Sequence, residues 1–394
     1  MPRASVARYV LGRLVWQVVQ NDKQLVITTN GKPTVRTFQT AEQAGAQLDK
    51  LVAGKLADGY EAAQMDPREP ALEAAIVADP DNDAAYAVYG DWLEHQGDPR
   101  GALIALQLAA KAGDAKLDAA AKKHLAEHAD YFIGSLAALG DGAISWSRGF
   151  VDKLYLHEAS TAMAHTLAGA LAHPSLRFVA HIAVTGEAGG DEAASVLAAH
   201  VPPTLRGLRL RFRRTHDLAA LWPVMPNLRR LTLFGEKLAL GDLDLPVLER
   251  LDISDQELSY ASMHAIAHAP WPVLERLRID FGNGYRTGDA SIDDVFALLA
   301  RSDLPALRRL ALMHTRYIRE VVIELGTSPL ALQLEHLDLS FNHMTDAHAL
   351  DLVRHKDRFP KLQLLDVSSN GLSTIGLEAL AALAPTIRTL HQRG

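Results

Sequence analysis

The sequence predicts an α/β solenoid in the C-terminal part of the chain, preceded by a small α+β domain and a short helical domain. Three observations lead to this fold class. The first sixty residues alternate like paired strands, a leucine pattern recurs through the second half, and prolines stand just before its strand-like segments. The expected domains are residues 1–65, 66–145 and 146–394.

The first domain contains "LVWQVVQNDKQLVITTN", which alternates like two strands joined by a polar turn at Asn21 and Asp22. "TFQTAEQAGAQLDKLVAGKLADGY" follows as a strand end and an amphipathic helix. With Trp16 early and Phe38 before the helix, this order resembles a WGR domain, a small sheet with a helix found in DNA-damage polymerases and many bacterial proteins. The resemblance implies nucleic-acid binding as an alternative role, and "TTNGKPT" stands where that family has Trp-Gly-Arg.

The second domain contains "ALEAAIVADPDNDAAYAVYGDWLEHQGDPRGALIALQLA" at residues 71–109. This order of a helix, a "DPDND" turn, a second helix and "PRGALIALQ" resembles the helical repeat-companion domain that accompanies bacterial repeat arrays. In that family a "W..GF" segment leads into the repeats, which corresponds here to "WSRGF" at residues 146–150. The resemblance implies an architecture and no activity.

The third domain carries the leucine pattern. "LEHLDLSFNHM" from Leu334 and "LQLLDVSSNGL" from Leu362 place leucines at alternate positions of a short strand and an asparagine in the turn that follows. Weaker copies start at Leu205, Leu228, Leu248, Leu274 and Leu307. This pattern resembles the leucine-rich-repeat superfamily and implies a horseshoe-shaped solenoid whose leucines form the core.

The segments between the strands read as helices. "TDAHALDLVRHKDRF" and "STIGLEALAALAP" each begin with a threonine or serine cap and carry apolar residues at helical spacing. Helical returns of this kind resemble the longer, ribonuclease-inhibitor type of repeat. The middle copies have Glu236, Gln256 and Thr315 in place of asparagine, so irregular turns are expected there.

Alternation along the strands predicts which residues line the concave face. The face is expected to be basic early, where Lys153 opens a row of cations, and more acidic late, with Tyr155, Phe234 and Met313 as apolar anchors. Two interpretations remain open: a solvated face whose charges neutralise each other, or a groove that matches a protein partner. The predicted partner-binding residues are Arg209, Arg211, Arg230, Thr232, Phe234, Arg250, Asp252, Arg276, Arg278, Asp280, Arg309, Met313, His336 and Asp338.

One motif suggests catalysis. "HLAEH" at residues 124–128 places His124 and His128 one helical turn apart with Glu127 beside them, as in a zinc hydrolase. Such a site needs a third ligand, and no neighbouring residue has a spacing that argues for one. A helix with two packed or exposed histidines is the other interpretation.

Composition limits the classes of function. A net charge of −7 gives no general attraction to nucleic acid or anionic membranes, and the absence of cysteine excludes thiolate chemistry. No apolar stretch is long enough to span a bilayer. We therefore expect a non-enzymatic, cytoplasmic bacterial interaction protein, a scaffold that binds a protein partner without a cofactor and for which a monomer is favoured. A nucleic-acid-associated adaptor and a zinc hydrolase are the alternatives.

Overall fold

The computed structural model describes residues 5–11, 14–29, 32–62, 66–158, 162–213, 217–282 and 288–392. The chain forms two compact units. The first consists of Met1–Ala137 with Trp146–Val151, and the second of Ala138–Ser145 with Asp152–Gly394. The boundaries expected after residues 65 and 145 stay a prediction.

The first unit begins with an antiparallel sheet and one helix. The elements are β1 Ser5–Leu11, β2 Leu14–Asn21, β3 Gln24–Thr29, β4 Lys32–Thr37, α1 Ala41–Ala57 and β5 Glu61–Ala62, with sheet order β4-β3-β2-β1-β5. The predicted turn joins β2 to β3, and Asp22 there has a φ of 51°. Thr40 begins α1 by accepting a hydrogen bond from the backbone N of Gln43. Apolar side chains from both layers, including Trp16 and Leu25, form the core.

In its described residues, the first unit continues with five α-helices. These are α2 Pro70–Ala78, α3 Asp83–His95, α4 Pro99–Ala110, α5 Ala115–Glu127 and α6 Ala129–Phe132. In the predicted "DPDND" turn, Asn82 begins α3 because its side chain accepts hydrogen bonds from the first backbone N–H groups of the helix. α3 and α4 pack closely at two glycines, since a Cβ on Gly101 would lie 2.5 Å from the carbonyl oxygen of Gly90. A side chain at Gly101 would therefore force these helices apart.

The "WSRGF" segment packs on the helices of the first unit. The buried Arg100 donates from Nη1 to the carbonyl oxygen of Gly149 at 2.6 Å, and Gln107 Oε1 accepts from the backbone N of Gly149 at 2.7 Å. The Arg100 guanidinium lies 4.6 Å from the centroid of the Phe150 ring and 5.3 Å from that of Phe132. A single buried cation thus connects α4 to the segment that precedes the repeats.

The large sheet of the chain contains eleven strands in sequence order. They are β6 Ile144–Ser147, β7 Phe150–Glu158, β8 His181–Gly186, β9 Gly207–Phe212, β10 Arg230–Gly235, β11 Arg250–Asp255, β12 Arg276–Asp280, β13 Arg309–Met313, β14 His336–Asp338, β15 Leu364–Asp366 and β16 Thr386–Arg388. The pairing is parallel from β7 to β16, and the second residue of each strand from β10 to β15 is a buried leucine. This leucine column confirms the predicted solenoid core.

Helices return the chain in most of the repeats. They are α7 Met163–Leu171, α8 Gly190–His200, α9 Tyr260–His268, α10 Ile292–Leu299, α11 Ile318–Leu325, α12 Asp346–Arg354 and α13 Thr374–Leu380. The predicted caps are present: Thr345 begins α12 with a capping box, and Ser373 begins α13. Between β9 and β10 the return contains a 3-10 helix, Ala219–Val224, whose buried Trp222 donates from Nε1 to the carbonyl oxygen of Leu240 at 2.6 Å.

Asparagines hold the last turns to one another. Asn342 Oδ1 accepts from the backbone N of Thr315 at 2.8 Å, and its Nδ2 donates to the carbonyl oxygen of Leu312 at 2.7 Å. Asn370 Oδ1 accepts from the backbone N of both Asn342 and Met344 at 2.9 Å. Each buried amide therefore satisfies backbone groups of the preceding repeat.

An aspartate does the same in a copy that lacks the asparagine. Asp255, immediately before Gln256, is fully buried and accepts from the backbone N of Lys237 at 2.8 Å and of Leu238 at 2.9 Å. Burial raises the pKa of the Asp255 carboxyl above its ordinary value, although these backbone donors oppose the shift. The irregular turn expected at Gln256 is thus replaced by a regular hydrogen-bonded one.

Candidate functional site

Strand register places the predicted site residues in three rows on one face of the repeat sheet, which we call the open face. All fourteen predicted residues lie on these rows. The first row reads Lys153, His181, Gly207, Arg230, Arg250, Arg276, Arg309 and His336, the second Tyr155, Ala183, Arg209, Thr232, Asp252, Arg278, Ala311 and Asp338, and the third His157, Thr185, Arg211, Phe234, Ser254, Asp280 and Met313. Adjacent members of a row are about 5 Å apart.

Two residues of the first row, His181 and Gly207, were not predicted. A Cβ on Gly207 would lie 2.6 Å from Cδ2 of His181, so the glycine leaves room for the imidazole to cross the β9 strand. The ring reaches Arg230, whose Nη2 contacts Nε2 of His181. Since a guanidinium can only donate, Nε2 of His181 is the acceptor in this contact.

The early part of the open face forms a depression with a volume of about 330 Å³. Its charged side chains, which we call the basic patch, are five cations and one carboxylate. They are Lys153, Arg209, Arg230, Arg250, Arg276 and Asp252. Asp252 Oδ1 lies 3.2 Å from Nη2 of Arg276, whereas within the described ranges no carboxylate lies within 4.0 Å of the guanidinium of Arg209 or Arg250. The patch therefore keeps an excess of positive charge.

The later part of the open face is closer to neutral. Asp280 accepts from Nδ1 of His314 at 2.8 Å and lies 3.5 Å from Nη2 of Arg278, while Asp366 lies 3.9 Å from Nη1 of Arg388. Burial and the nearby Arg309 cation lower the pKa of His336, so this histidine adds no charge to the row at neutral pH. The predicted change from a basic to a more acidic face is present, but His336 is not one of its cations.

The three predicted apolar anchors differ in exposure. Tyr155 is 47% exposed, and Phe234 is half-buried beneath the Arg211 guanidinium, which lies 4.6 Å from its ring centroid. Met313 is only 7% exposed, so the structure packs it into the protein and leaves little of its surface for a partner. Tyr155 and Phe234 are the apolar side chains that remain available beside the basic patch.

The "HLAEH" motif does not form a metal-binding arrangement in the structure. His124 Nε2 lies 2.8 Å from the carbonyl oxygen of Pro99, and Glu127 pairs with Lys123 at 3.7 Å. The rings of His124 and His128 are 4.7 Å apart and both pack against Phe132. Nothing in the described residues around this helix supports the zinc-hydrolase alternative, and the packed-histidine interpretation accounts for these contacts.

Stability should depend on the ionised form of Asp280 in acid. Burial is the largest single influence on this carboxyl and would raise its pKa. The hydrogen bonds from His314 and from the Gly282 backbone, together with the nearby His314 and Arg278 charges, outweigh burial and hold the pKa below its ordinary value of 3.8. Because the folded-state pKa is lowered, Asp280 stabilises the fold above about pH 4, and this contribution is lost as the pH falls through the folded-state pKa. We expect Asp280→Asn to lower the free energy of unfolding by about 1 kcal/mol at pH 7 and by less at about pH 3. Denaturant unfolding at both pH values checks this, and an equal loss at both would contradict it.

Comparison with known proteins supports the repeat architecture. The "Leucine Rich repeat" family model matches residues 333–347 and 360–381, which contain the two asparagine-bearing copies. A crystal structure of a protein from Bacteroides fragilis is similar over 97% of this chain and 95% of that chain, with 17% sequence identity and a TM-score of 0.52. This likeness concerns the fold.

Two further findings complete the comparison. An internalin from Listeria monocytogenes matches 66% of this chain and 94% of its own, with 13% identity and a TM-score of 0.24. No curated protein matches the sequence. Among the helices of the described residues, none combines the length and the apolar character needed to span a bilayer.

Proposed function

We propose that this protein is a non-enzymatic scaffold or regulator that binds an acidic segment of a protein partner on the open face of its repeats. Leucine-rich-repeat proteins generally act in protein–protein interaction, and the two matched repeats support that role here. The basic patch is the observation that carries the proposal, because it has five cations and one carboxylate in one depression. This depression is positively charged although the chain as a whole has a net charge of −7.

The arrangement of the cations supports an acidic partner. Arg230, Arg250, Arg276 and Arg309 are direct neighbours across four parallel strands. Like charges placed opposite each other in a sheet repel, so the row weakens the fold unless counter-charges are present. Carboxylates on a partner would supply them and would form charge-assisted hydrogen bonds with the guanidinium groups. Tyr155 and Phe234 would add apolar contacts at the edge of the patch.

The residue types of the patch favour binding over catalysis. Arginine stays protonated in proteins and does not serve as a general base. His181 is the titratable imidazole in the depression, and its Nε2 is engaged by Arg230. Together these side chains can form a surface that recognises an acidic partner.

Nucleic acid could also supply negative charge, so the test must separate it from protein. The resemblance of the N-terminal sheet and helix to a WGR domain stays a prediction, and no contact among the described residues favours nucleic-acid binding there. For example, Lys55 is paired with Asp58 at 3.2 Å. A protein partner is therefore the proposal, and nucleic acid is an outcome that the experiment can reveal.

We propose that the protein acts in the cytoplasm, so affinity capture of its partner from cytoplasmic extract tests the proposal. We expect a specific acidic protein to bind the immobilised full chain at low salt, to bind less at moderate salt, and to remain bound after nuclease treatment. Screening weakens exposed charge pairs, which explains the expected salt dependence. Loss of the captured material on nuclease treatment would instead support the nucleic-acid alternative. Capture that does not respond to salt would contradict recognition through the basic patch.

A further inference from the structure

Two histidines and one aspartate come together on the return helices of adjacent repeats. His264 and His268 are one helical turn apart on α9, and Asp294 lies in the first turn of α10. One ligand atom from each of these residues lies within 4.8 Å of the other two. This cluster lies on return helices and shares no residue with the basic patch.

His264 already contacts the other two side chains. His264 Nδ1 and Asp294 Oδ1 are 2.9 Å apart, and the centroids of the two imidazole rings are 4.2 Å apart. A zinc ion binds nitrogen and oxygen ligands at about 2.0–2.2 Å in a tetrahedral arrangement, so the ligands of one ion are about 3.3 Å from each other. Small side-chain rotations would bring the three ligand atoms to that spacing.

The environment of the cluster also favours a cation. Asp294 is only 4% exposed, and its Oδ2 is buried without a hydrogen-bond partner in the described structure. An unpaired buried carboxylate oxygen is unfavourable, and a bound cation would satisfy it. Nδ1 of His268 lies 2.9 Å from the carbonyl oxygen of His264. When one nitrogen of an imidazole donates to a backbone carbonyl in this way, the other nitrogen is oriented for a metal ion.

We propose that His264, His268 and Asp294 bind one divalent transition-metal ion, for which zinc has the appropriate ligand preference. Two imidazoles and one carboxylate are ligands typical of zinc, with a water molecule as the fourth. Calcium and magnesium prefer sites made of oxygen ligands, so they are poor candidates. An ion at this position would connect α9 to α10 and thereby stabilise two consecutive repeats against separation.

The chain contains a natural control for this proposal. His124 and His128 have the same spacing on a helix, and their ring centroids are 4.7 Å apart. Among the described residues no third ligand comparable to Asp294 accompanies this pair, and Glu127 pairs with Lys123. The spacing of the histidines is therefore the same in both pairs, and the difference between them is the additional ligand Asp294.

Calorimetric titration of the metal-free full chain with zinc chloride tests the site. We expect one high-affinity ion per chain, at least tenfold weaker affinity in His268→Ala and in Asp294→Asn, and unchanged affinity in the double variant His124→Gln/His128→Gln. His268 is exposed, so its substitution leaves the core intact, and circular dichroism verifies the fold. At the same zinc concentration, zinc should also raise the Tm of the wild type more than that of His268→Ala.

Four outcomes would overturn the proposal. Three of them are the absence of high-affinity binding, binding that is equal in the wild type and His268→Ala, and binding that is lost in the His124/His128 variant instead. Equal zinc affinity in the wild type and in Asp294→Asn would show that His264 and His268 bind the ion without Asp294. That result would also contradict the three-ligand site.

Discussion

Replacing Arg230, Arg250 and Arg276 with glutamate is expected to weaken binding of the protein partner at least about a hundredfold at low ionic strength. The substitutions leave two of the five cations of the basic patch and raise its carboxylates from one to four. An acidic segment would then meet repulsion where it had formed charge-assisted hydrogen bonds. A hundredfold change corresponds to about 2.7 kcal/mol, a modest sum for three lost pairs and three new repulsive ones. Affinity of the captured partner, measured by surface-based kinetics, checks the prediction.

The matched control is a variant in which the charges of three cations elsewhere on the repeats are reversed. Arg319, Arg354 and Lys356 are exposed residues on α11, on α12 and just after it. Replacing these three with glutamate changes the net charge by the same amount without touching the open face. We expect the affinity of the control variant to change by only a few fold, through weaker long-range attraction. Equal losses in both triple variants would mean that net charge, and no particular surface, determines binding.

The largest effect on stability is expected for Arg100→Ala, which should cost about 3–5 kcal/mol in the free energy of unfolding of the first unit. Arg100 is 1% exposed and donates to the Gly149 carbonyl, so the substitution removes a buried hydrogen bond and the stacking of the guanidinium on Phe150.

The substitution also affects Asp98, which is 4% exposed. Asp98 would lose a nearby cation and retain the hydrogen bond from Tyr131. Burial and the Asp98 charge raise the pKa of Tyr131 well above its ordinary value of 10, so the phenol stays a donor at neutral pH.

Denaturant unfolding followed by tryptophan fluorescence measures this cost, with Lys111→Ala as the control. Lys111 directly follows α4 and pairs with Asp83, but its side chain is 56% exposed. Exposed ion pairs contribute little, so the control should lose less than about 1 kcal/mol. A similarly small loss in Arg100→Ala would show that the buried guanidinium does not hold the "WSRGF" segment to the helices.

Much of the repeat architecture could be predicted from the sequence, because strand periodicity is a local property. The leucines at alternate positions became the buried column, and Thr345 and Ser373 became the helix caps. The row of Arg230, Arg250 and Arg276 was predictable as well, since each arginine occupies the same position of the repeat and the strands pair in register.

Other features depend on packing that no short pattern contains. The role of Asp255 was missed because it stands one position before the asparagine of the repeat pattern. The burial of Met313 results from neighbouring side chains, and the contact of His181 with Arg230 requires a glycine on the strand between them. His264 and Asp294 are 30 residues apart in sequence and meet only because the helices of adjacent repeats stack.

Site-specific photo-cross-linking shows whether the partner binds on the open face. A photo-reactive phenylalanine analogue at Thr232, in the middle of the open face and beside Arg209 and Asp252 in register, would report contact with the partner. The same analogue at Ile323, 48% exposed on α11, is the control. If the partner binds the basic patch, position 232 yields a cross-linked complex and position 323 does not. A complex formed from position 323, with none from position 232 while the partner still binds, would place the partner away from the basic patch and rule out the proposed binding surface.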